Sequence, residues 1–322
     1  MLARLAAALA VIACAACTAT EGSGPVVESV SPTADERSLS PTAKTAKPSH
    51  TERPETFDAG RAMKTVRTLA GRIGPREATS ASFMRATDLV EREFSSLGYV
   101  VTRPSFQVPA GNSWGIDVPA GKTVNVVATP TTLERRDRYL IVGAHLDTVP
   151  QAPGAEDNAS GVAVMLELAR LAAGEPTGLP VIFVAFGAEE PRGIGEGWHH
   201  FGSKDYTSHL QPSDRHNLVA MVSLDRVGVG PAVPVCDGDE TPSALVQDLR
   251  AAGRLANVPT TSCGMNRSSD HWSFQLAGLP AARLGSTAYA AYHSAQDVPR
   301  VVQRAQLKRT GDLAWEFLTS AA

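Results

Sequence analysis

Short apolar runs alternate with amphipathic segments over most of the chain. The run "YLIV" at residues 139–142 and the run "VIFVAF" at residues 181–186 are typical of strands in a sheet that is covered on both faces. In residues 80–97 the apolar positions instead recur at helical spacing, and Gly98 follows as a helix C-terminal glycine would. The same patterns predict helices over 58–71, 80–97, 160–173, 242–255, 272–277 and 302–319, and strands over 99–108, 123–128, 138–144, 179–187, 218–224 and 281–284.

Strands that alternate with helices predict an α/β fold. We expect a three-layer α/β/α sandwich with a mixed, mostly parallel, twisted sheet. Polar side chains follow three of the apolar strands directly: His145 and Asp147, Glu189 and Glu190, and Asp225. Ligands of such sheets bind at the carboxyl ends of the strands, so this edge is where we expect the functional site.

The residue types at this edge indicate a metal site. Two imidazoles and three carboxylates form a set that suits Zn²⁺ with an open coordination position. Five ligands exceed what one catalytic zinc ion takes, which favours two ions and a bridging carboxylate. Asp157 is best placed to bridge, because it precedes the helix that starts near Ser160. The predicted ligands are His145, Asp157, Glu190, Asp225 and His293.

Six motifs, in order along the chain, resemble those of the secreted bacterial double-zinc aminopeptidases. They are "GAHLDT", "GAEDNASG", "FGAEE", "SLDRVG", "SDHWSF" and "YHSAQD". The wider family includes leucine aminopeptidases, glutamate carboxypeptidase and the transferrin-receptor ectodomain, and the resemblance extends from Gly71 to the final helix. It implies a metallo-aminopeptidase that hydrolyses N-terminal residues from peptides with two co-catalytic zinc ions.

The resemblance also implies a role for each site residue. His145 and Asp225 would hold one zinc ion, Glu190 and His293 the other, and Asp157 would lie between them. Glu189 would be the general base that takes a proton from the attacking water, which agrees with an acid that is adjacent to a ligand and not needed for coordination. Asp147 would orient the His145 imidazole from behind. Tyr292 is either a group that steadies the tetrahedral oxyanion or a packed aromatic residue.

The sequence departs from the family pattern at two places. The usual "ADDN" is "AEDN" at residues 155–158, which leaves Asp157 intact. After Glu190 the chain carries the long insertion "PRGIGEGWHH", which we expect to form a surface loop, with Trp198, His199 and His200 as residues that shape the pocket in the alternative. We expect His271 to support the site without binding metal.

Other activities of the same fold are alternatives. A carboxypeptidase would need a basic clamp for the substrate carboxylate, for which Arg226 and Arg267 are candidates. A glutaminyl cyclase would use one zinc ion, and a receptor-like pseudoenzyme would lack ligands. The full ligand set argues against both.

The N-terminal residues predict export. Arg4 precedes an apolar stretch over 5–13, which is too short to span a bilayer and is typical of a secretory signal. The sequence "VIAC" at residues 11–14 is typical of a lipobox, so Cys14 is the predicted lipidation site. Cys17 is a second candidate, and a plain signal peptide is the alternative. We predict a signal peptide over 1–17, a disordered Ser/Thr/Pro-rich tether over 18–56 and a catalytic domain over 57–322.

Composition and net charge restrict the classes of partner that we expect. The chain of 322 residues has a formal net charge of −3, which gives no basic surface for nucleic acid. We expect peptide substrates, a monomer, and membrane contact through the N-terminal lipid alone, on the outer side of the cell membrane. In an exported protein, Cys236 and Cys263 favour a disulfide over two buried thiols.

Overall fold

The computed structural model describes residues 55–321, and the predicted signal peptide, Cys14 and nearly all of the predicted tether lie outside them. An eight-stranded sheet with the order β1-β6-β8-β7-β9-β12-β10-β11 forms the centre of this part of the chain. Two small two-stranded sheets, β2-β5 and β3-β4, lie outside it. The strands are β1 (Val100–Thr102), β2 (Ser105–Val108), β3 (Gly111–Ser113), β4 (Ile116–Val118), β5 (Gly121–Val124), β6 (Val126–Thr129), β7 (Tyr139–His145), β8 (Val181–Phe186), β9 (Leu218–Asp225), β10 (Val233–Cys236), β11 (Thr260–Cys263) and β12 (Ala281–Gly285).

Helices connect β7 to β8, β8 to β9, β10 to β11 and β11 to β12. A π-helical segment, Arg67–Ile73, continues the first helix, and a turn at Ala155–Ala159 with non-helical φ and ψ at Asp157 and Asn158 precedes the third. Short 3₁₀ turns lie at Glu196–Trp198 and Pro299–Val301. The α-helices are α1 (Ala59–Val66), α2 (Ala81–Ser96), α3 (Ser160–Gly174), α4 (Phe201–His209), α5 (Pro212–Asn217), α6 (Ala244–Leu255), α7 (His271–Leu276) and α8 (Arg304–Ser320).

The sheet is mixed, with a parallel centre. The strands β8, β7, β9 and β12 pair in parallel, while β1, β6 and β10 join the sheet antiparallel to their inner neighbours. Because β7 is buried along its whole length, its residues read as one continuous apolar run rather than an alternation. The predicted fold class is confirmed.

Helices cover both faces of the sheet. On one face Leu140 and Val142 of β7 pack in a core with side chains from α1, α2, α3, α6 and α8. On the other face Ile141 packs with Phe274 of α7, and Tyr206 of α4 lies against the same cluster. Alternate residues of one strand therefore supply two separate cores, which gives the three layers.

The structure divides two of the predicted strands. The predicted strand over 99–108 becomes β1 and β2, which are separated by Arg103 and Pro104, because proline has no backbone N–H to donate to a ladder. The predicted strand over 123–128 is interrupted at Asn125. The backbone N–H of Asn125 donates to the Pro104 carbonyl at 3.0 Å, and its side-chain oxygen accepts from the Gly187 N–H.

A disulfide joins Cys236 and Cys263 across β10 and β11, where the two cysteines are partners in the parallel register. The bridge closes a segment of 27 residues at one edge of the large sheet. Within residues 55–321 no helix has the length and apolar character needed to cross a bilayer.

Candidate metal centre

The five predicted metal ligands meet at the carboxyl edge of the sheet. His145 ends β7 and Asp225 ends β9, so these two side chains are placed by neighbouring parallel strands. Glu190 follows β8, Asp157 lies in the turn before α3, and His293 lies in the segment after β12. All five are buried, and His293, the most accessible, is 9% exposed.

Asp157 stands between the two histidines. Its Oδ1 lies 3.0 Å from Nε2 of His145, and its Oδ2 lies 3.2 Å from Nε2 of His293. Asp225 Oδ1 lies 3.6 Å from the same atom of His145, and Glu190 Oε2 lies 3.3 Å from the same atom of His293. The five residues therefore form two groups of three that share the Asp157 carboxylate.

These distances fit two zinc sites. Ligand atoms around a tetrahedral zinc ion lie roughly 3.3 Å apart, because each zinc–ligand bond is about 2.0–2.1 Å. In addition, Oε1 of Glu190 and Oδ1 of Asp225 are buried and have no hydrogen-bond partner among the described residues. Buried carboxylate oxygens without a donor are costly unless a cation compensates them. By distance alone, Glu189 also comes close enough to His145 and Asp225 to share an ion with them.

The pKa shifts of the clustered residues also fit a cation-binding site. Burial raises the pKa of Glu189 to about 8 and the pKa of Glu190 to about 7. Burial would also raise the pKa of Asp157, but the hydrogen bonds from His145 and His293 outweigh it and hold that pKa well below its usual range. Burial lowers the pKa of His293, yet the facing Glu190 and Asp157 raise it to about 10. The site thus carries an excess of carboxylates that attracts positive charge.

Asp147 holds the two glutamates in place. Its Oδ1 accepts the backbone N–H of Glu189 at 3.0 Å, and its Oδ2 accepts the backbone N–H of Glu190 at 3.2 Å. Nδ1 of His145 lies 3.2 Å from the Asp147 carbonyl oxygen and 3.7 Å from its carboxylate. Asp147 therefore contacts His145, as its predicted role requires, and it also fixes the segment that follows β8.

Two buried residues that sequence reasoning did not assign support the ligands. Asp297 accepts the backbone N–H groups of Glu156 and Asp157 at 2.9 and 3.1 Å, which fixes the turn that carries the shared carboxylate. Arg283 of β12 contacts Asp225 Oδ2 at 3.1 Å. Burial would raise the pKa of Asp225, but Arg283 and His145 hold it at about 2. An arginine inside the apolar strand "AARLG" was the available signal, because a buried guanidinium needs an anionic partner.

The expectation of a surface loop after Glu190 is wrong for His200. Ile194, in the middle of this loop, is 97% exposed, but His200 is 1% exposed. The backbone N–H of His200 donates to the Glu189 carbonyl at 2.9 Å, and its Nε2 lies 3.0 Å from Glu189 Oε1. Burial lowers the pKa of His200 to about 3, so the imidazole is neutral. The end of the insertion is thus joined by backbone hydrogen bonds to the segment that follows β8.

A cavity of about 210 Å³ opens beside these ligands. Trp114, Arg226 and Tyr292 form part of its wall, together with His199 of the insertion. The Tyr292 ring stacks on the His293 ring with 3.7 Å between centroids, and burial raises the pKa of its hydroxyl. His271 is buried, with its Nε2 2.7 Å from the carbonyl oxygen of Asn266. Arg267 does not line this cavity, and its guanidinium stacks on Trp272 instead.

The family is decided by the sequence of the domain that carries this centre. The model of peptidase family M28 matches residues 125–318, which include all five predicted ligands. The chain belongs to peptidase family M28. The match confirms the predicted resemblance and places the cluster in a family of peptidases.

Sequence similarity to individual proteins is consistent with this assignment. The chain is 30% identical over 199 residues to "Aminopeptidase YwaD" of Bacillus subtilis, a match that covers 58% of this chain and 42% of the relative. It is 29% identical over 188 residues to "Probable lipoprotein aminopeptidase LpqL" of Mycobacterium tuberculosis, covering 52% of this chain and 35% of the relative. The matches thus span less than half the length of these relatives.

Solved structures show the same fold. A zinc aminopeptidase from Bacillus subtilis superposes with a TM-score of 0.74 at 20% identity, covering 84% of this chain and 96% of that one. The glutaminyl cyclase of Fimbriiglobus ruber superposes with a TM-score of 0.70 at 22% identity, covering 83% of this chain and 96% of that one. At these identities the likeness concerns the fold alone, so the choice of reaction rests on the site.

Proposed function

We propose that the chain is an exported metallo-aminopeptidase that removes N-terminal residues from peptides with two co-catalytic zinc ions. The observation that carries this proposal is the position of Asp157, whose two carboxylate oxygens each face a different histidine. A carboxylate in this position serves two ions at once. The matching family of peptidases supplies the reaction class.

Each of the two groups of three residues would hold one of the two ions. His145, Asp225 and Asp157 would hold one ion, while Glu190, His293 and Asp157 would hold the other. When bound, zinc activates a water molecule and polarises a carbonyl oxygen. The donors are nitrogen and carboxylate oxygen atoms, and no cysteine of residues 55–321 approaches them, because Cys236 and Cys263 are paired with each other.

Glu189 is the proposed general base. It lines the cavity, and its Oε2 lies 4.0 Å from Nε2 of His145, farther than the nearest oxygens of Asp157 and Asp225. Its other oxygen is held by His200. Glu189 is therefore placed to take a proton from the water that attacks the peptide carbonyl. Bound cations would offset the rise that burial causes in its pKa, so that its carboxyl would be ionised for this step. As the C–N bond breaks, the same carboxyl returns the proton to the leaving amine.

Two further residues take supporting roles in this proposal. Asp147 positions His145, Glu189 and Glu190 through the contacts given above. Tyr292 lies in the cavity wall, directly before a ligand, where its hydroxyl is a candidate donor to the oxyanion that forms on the attacked carbonyl.

The polarity of cleavage follows from charge. An aminopeptidase must hold a free α-ammonium group, which carboxylates near the reacting bond do best, and acids dominate the wall of this cavity. We expect aminoacyl nitroanilides to be hydrolysed and a chelator to stop the reaction. N-acetylation of a peptide should abolish cleavage, whereas C-terminal amidation should hardly matter. Release of C-terminal residues from an N-acetylated peptide would contradict the aminopeptidase assignment.

The number of zinc ions separates this proposal from a glutaminyl cyclase. Protein purified without chelator should contain close to two zinc ions per chain by elemental analysis. A stable value of one ion, together with loss of ammonia from peptides with N-terminal glutamine, would favour the cyclase.

Export belongs to the proposal as well. We propose a signal peptide over 1–17, a tether over 18–56 and a catalytic domain over 57–322. The lipobox ends at Cys14, and the similarity to a probable lipoprotein aminopeptidase supports it. Labelled fatty acid should enter the wild type in its host and not Cys14→Ser. Loss of labelling in Cys17→Ser alone would move the lipid to Cys17, and no labelling of the wild type would leave a secreted enzyme without an anchor.

A further inference from the structure

Arg226 brings a positive charge into a cavity that acids otherwise dominate. It follows the ligand Asp225 at the end of β9, in a left-handed conformation with φ of 56°. The backbone N–H of Arg226 donates to Asn158 Oδ1 at 3.2 Å. Its side chain is 12% exposed and lines the cavity. Arginine carries its charge at every physiological pH, so this wall of the cavity is permanently cationic.

Most donors of the Arg226 guanidinium have no acceptor. The group has five N–H donors in a planar fork. One of its terminal nitrogens, Nη2, donates to Ser286 Oγ at 3.2 Å, and no other acceptor lies within hydrogen-bond distance among residues 55–321. Its Nε lies 3.9 Å from Asp225 Oδ1, which is beyond that distance. The rest of the fork is therefore free to bind an anion, and a carboxylate that accepts from both of its arms would form a bidentate, charge-assisted pair with it.

The shape of the site restricts where this carboxylate comes from. The guanidinium carbon lies 4.6 Å from the centroid of the Tyr292 ring, a cation–π distance that holds the guanidinium at this wall of the cavity. Arg226 directly follows the proposed ligand Asp225, and Tyr292 directly precedes the proposed ligand His293. Both residues line the same cavity, in which the carbonyl of the cleaved bond would bind. At about 210 Å³, the cavity is smaller than the roughly 300–1,000 Å³ of pockets that enclose drug-sized ligands, and it suits a single amino-acid residue. An anion in this cavity therefore belongs to the residue whose bond is cleaved.

We propose that Arg226 binds the side-chain carboxylate of an N-terminal glutamate or aspartate, so that the enzyme prefers acidic N-terminal residues. This inference rests on the proposed aminopeptidase function. The terminal carboxylate of a dipeptide is a second carboxylate that the Arg226 guanidinium would bind by the same hydrogen bonds. The other role open to Arg226 is to neutralise Asp225, and that role would affect all substrates equally.

The test compares two substrates that differ in charge and hardly in shape. Glutamyl p-nitroanilide and glutaminyl p-nitroanilide are assayed with the zinc-loaded full chain at pH 7. We expect kcat/KM to be about 10- to 100-fold higher for the glutamyl substrate, the range for a charge-assisted pair of hydrogen bonds. Using the ratio within one protein cancels any change in zinc content or folding.

Variants assign the preference to Arg226. In Arg226→Gln the ratio should fall to about one, mainly through a higher KM for the glutamyl substrate. Arg226→Lys keeps the charge but not the fork, and should retain part of the preference. Arg267→Gln is the matched control, because Arg267 stacks on Trp272 outside the cavity, and it should keep the wild-type ratio.

Three outcomes would overturn the inference. The first is a wild-type ratio at or below one, and the second is a ratio that Arg226→Gln leaves unchanged. The third is a preference for Leu-Gly over Leu-Gly amide that disappears in Arg226→Gln, without a glutamyl preference, because the carboxylate would then be the terminal one. Efficient hydrolysis of leucyl p-nitroanilide in each case would show that the aminopeptidase function itself stands.

Discussion

Glu189, the proposed general base, is held both at its backbone and at its side chain. Asp147 accepts its backbone N–H at 3.0 Å, and His200 lies 3.0 Å from its Oε1. Since His200 is buried and neutral, its Nε2–H tautomer can donate to the carboxylate. This contact leaves Oε2 facing His145 and the cavity. The proposed general base is thus oriented by a histidine from the insertion.

His200 should therefore affect turnover more than substrate binding. His200→Leu removes the donor, and we expect kcat to fall roughly 10- to 100-fold, as for other residues that orient a reactive group, with little change in KM or zinc content. His200→Gln keeps an N–H donor and should recover much of kcat. His209→Leu, an exposed histidine in α4, is the control and should behave as the wild type. Equal losses in His200→Leu and His200→Gln would show that the contact only closes the loop.

Glu189→Gln tests the base itself. The amide has nearly the same shape but cannot accept the proton from water, so kcat should fall by about two to four orders of magnitude. Zinc content should stay the same by elemental analysis, because Asp157, Glu190 and Asp225 supply the carboxylates of both groups. Near-normal turnover would remove Glu189 from the mechanism, and a parallel loss of zinc would make it a ligand.

At the scale of the elements, the sequence predicts best where the signal is local. The predicted strand over 179–187 is β8 (Val181–Phe186), and the predicted helix over 160–173 is α3 (Ser160–Gly174), because each has a long periodic or apolar pattern. The helices α4 and α5 were not predicted, since neither has a strong apolar face. The burial of His200 could not be predicted either, because it depends on backbone hydrogen bonds between its loop and the segment that follows β8.

In the candidate metal centre, too, residues with a local sequence signal could be predicted, and residues that act through long-range contacts could not. The predicted ligands His145, Glu190 and Asp225 closely follow predicted strands. Arg283 and Asp297 instead act from within β12 and from a later loop. Their contacts with Asp225 and Asp157 join residues that are 58 and 140 positions apart. Local sequence patterns carry no information on such pairs. The residues that support the predicted ligands could therefore be identified only from the folded structure.

The disulfide ties β11 to the sheet, and its removal should cost stability rather than activity. It closes 27 residues, for which chain entropy predicts about 3–4 kcal/mol of stabilisation. The variant Cys236→Ser/Cys263→Ser should therefore unfold at a Tm lower by roughly 5–10 °C, measured by calorimetry. Its kcat/KM at 25 °C should stay near that of the wild type, because neither cysteine lines the cavity. A loss of activity without a loss of Tm would contradict this separation.

At the scale of the whole molecule, the proposed ions should hold together the segments that meet at one edge of the sheet. The five ligands come from β7, β9, the segments after β8 and β12, and the turn before α3, so binding joins five parts of the chain. Without cations, their buried carboxylates repel one another and keep unpaired oxygens. We therefore expect metal binding to stabilise the fold as well as to support the reaction.

Removing the metal should lower the Tm, and the variants should show which residues mediate the effect. Ligand at a thousand times its Kd adds about 4 kcal/mol to the free energy of unfolding, which corresponds to roughly 10 °C in a domain of this size. We expect a chelator to lower the Tm of the wild type by about that amount and added zinc to restore it. Glu189→Gln should show the same shift, because the base is not needed for binding. Asp157→Ala should show little shift with either treatment, since loss of the shared carboxylate weakens both groups of ligands at once. A full zinc-dependent shift in Asp157→Ala would mean that the two groups bind independently, and the bridging role of Asp157 would have to be abandoned.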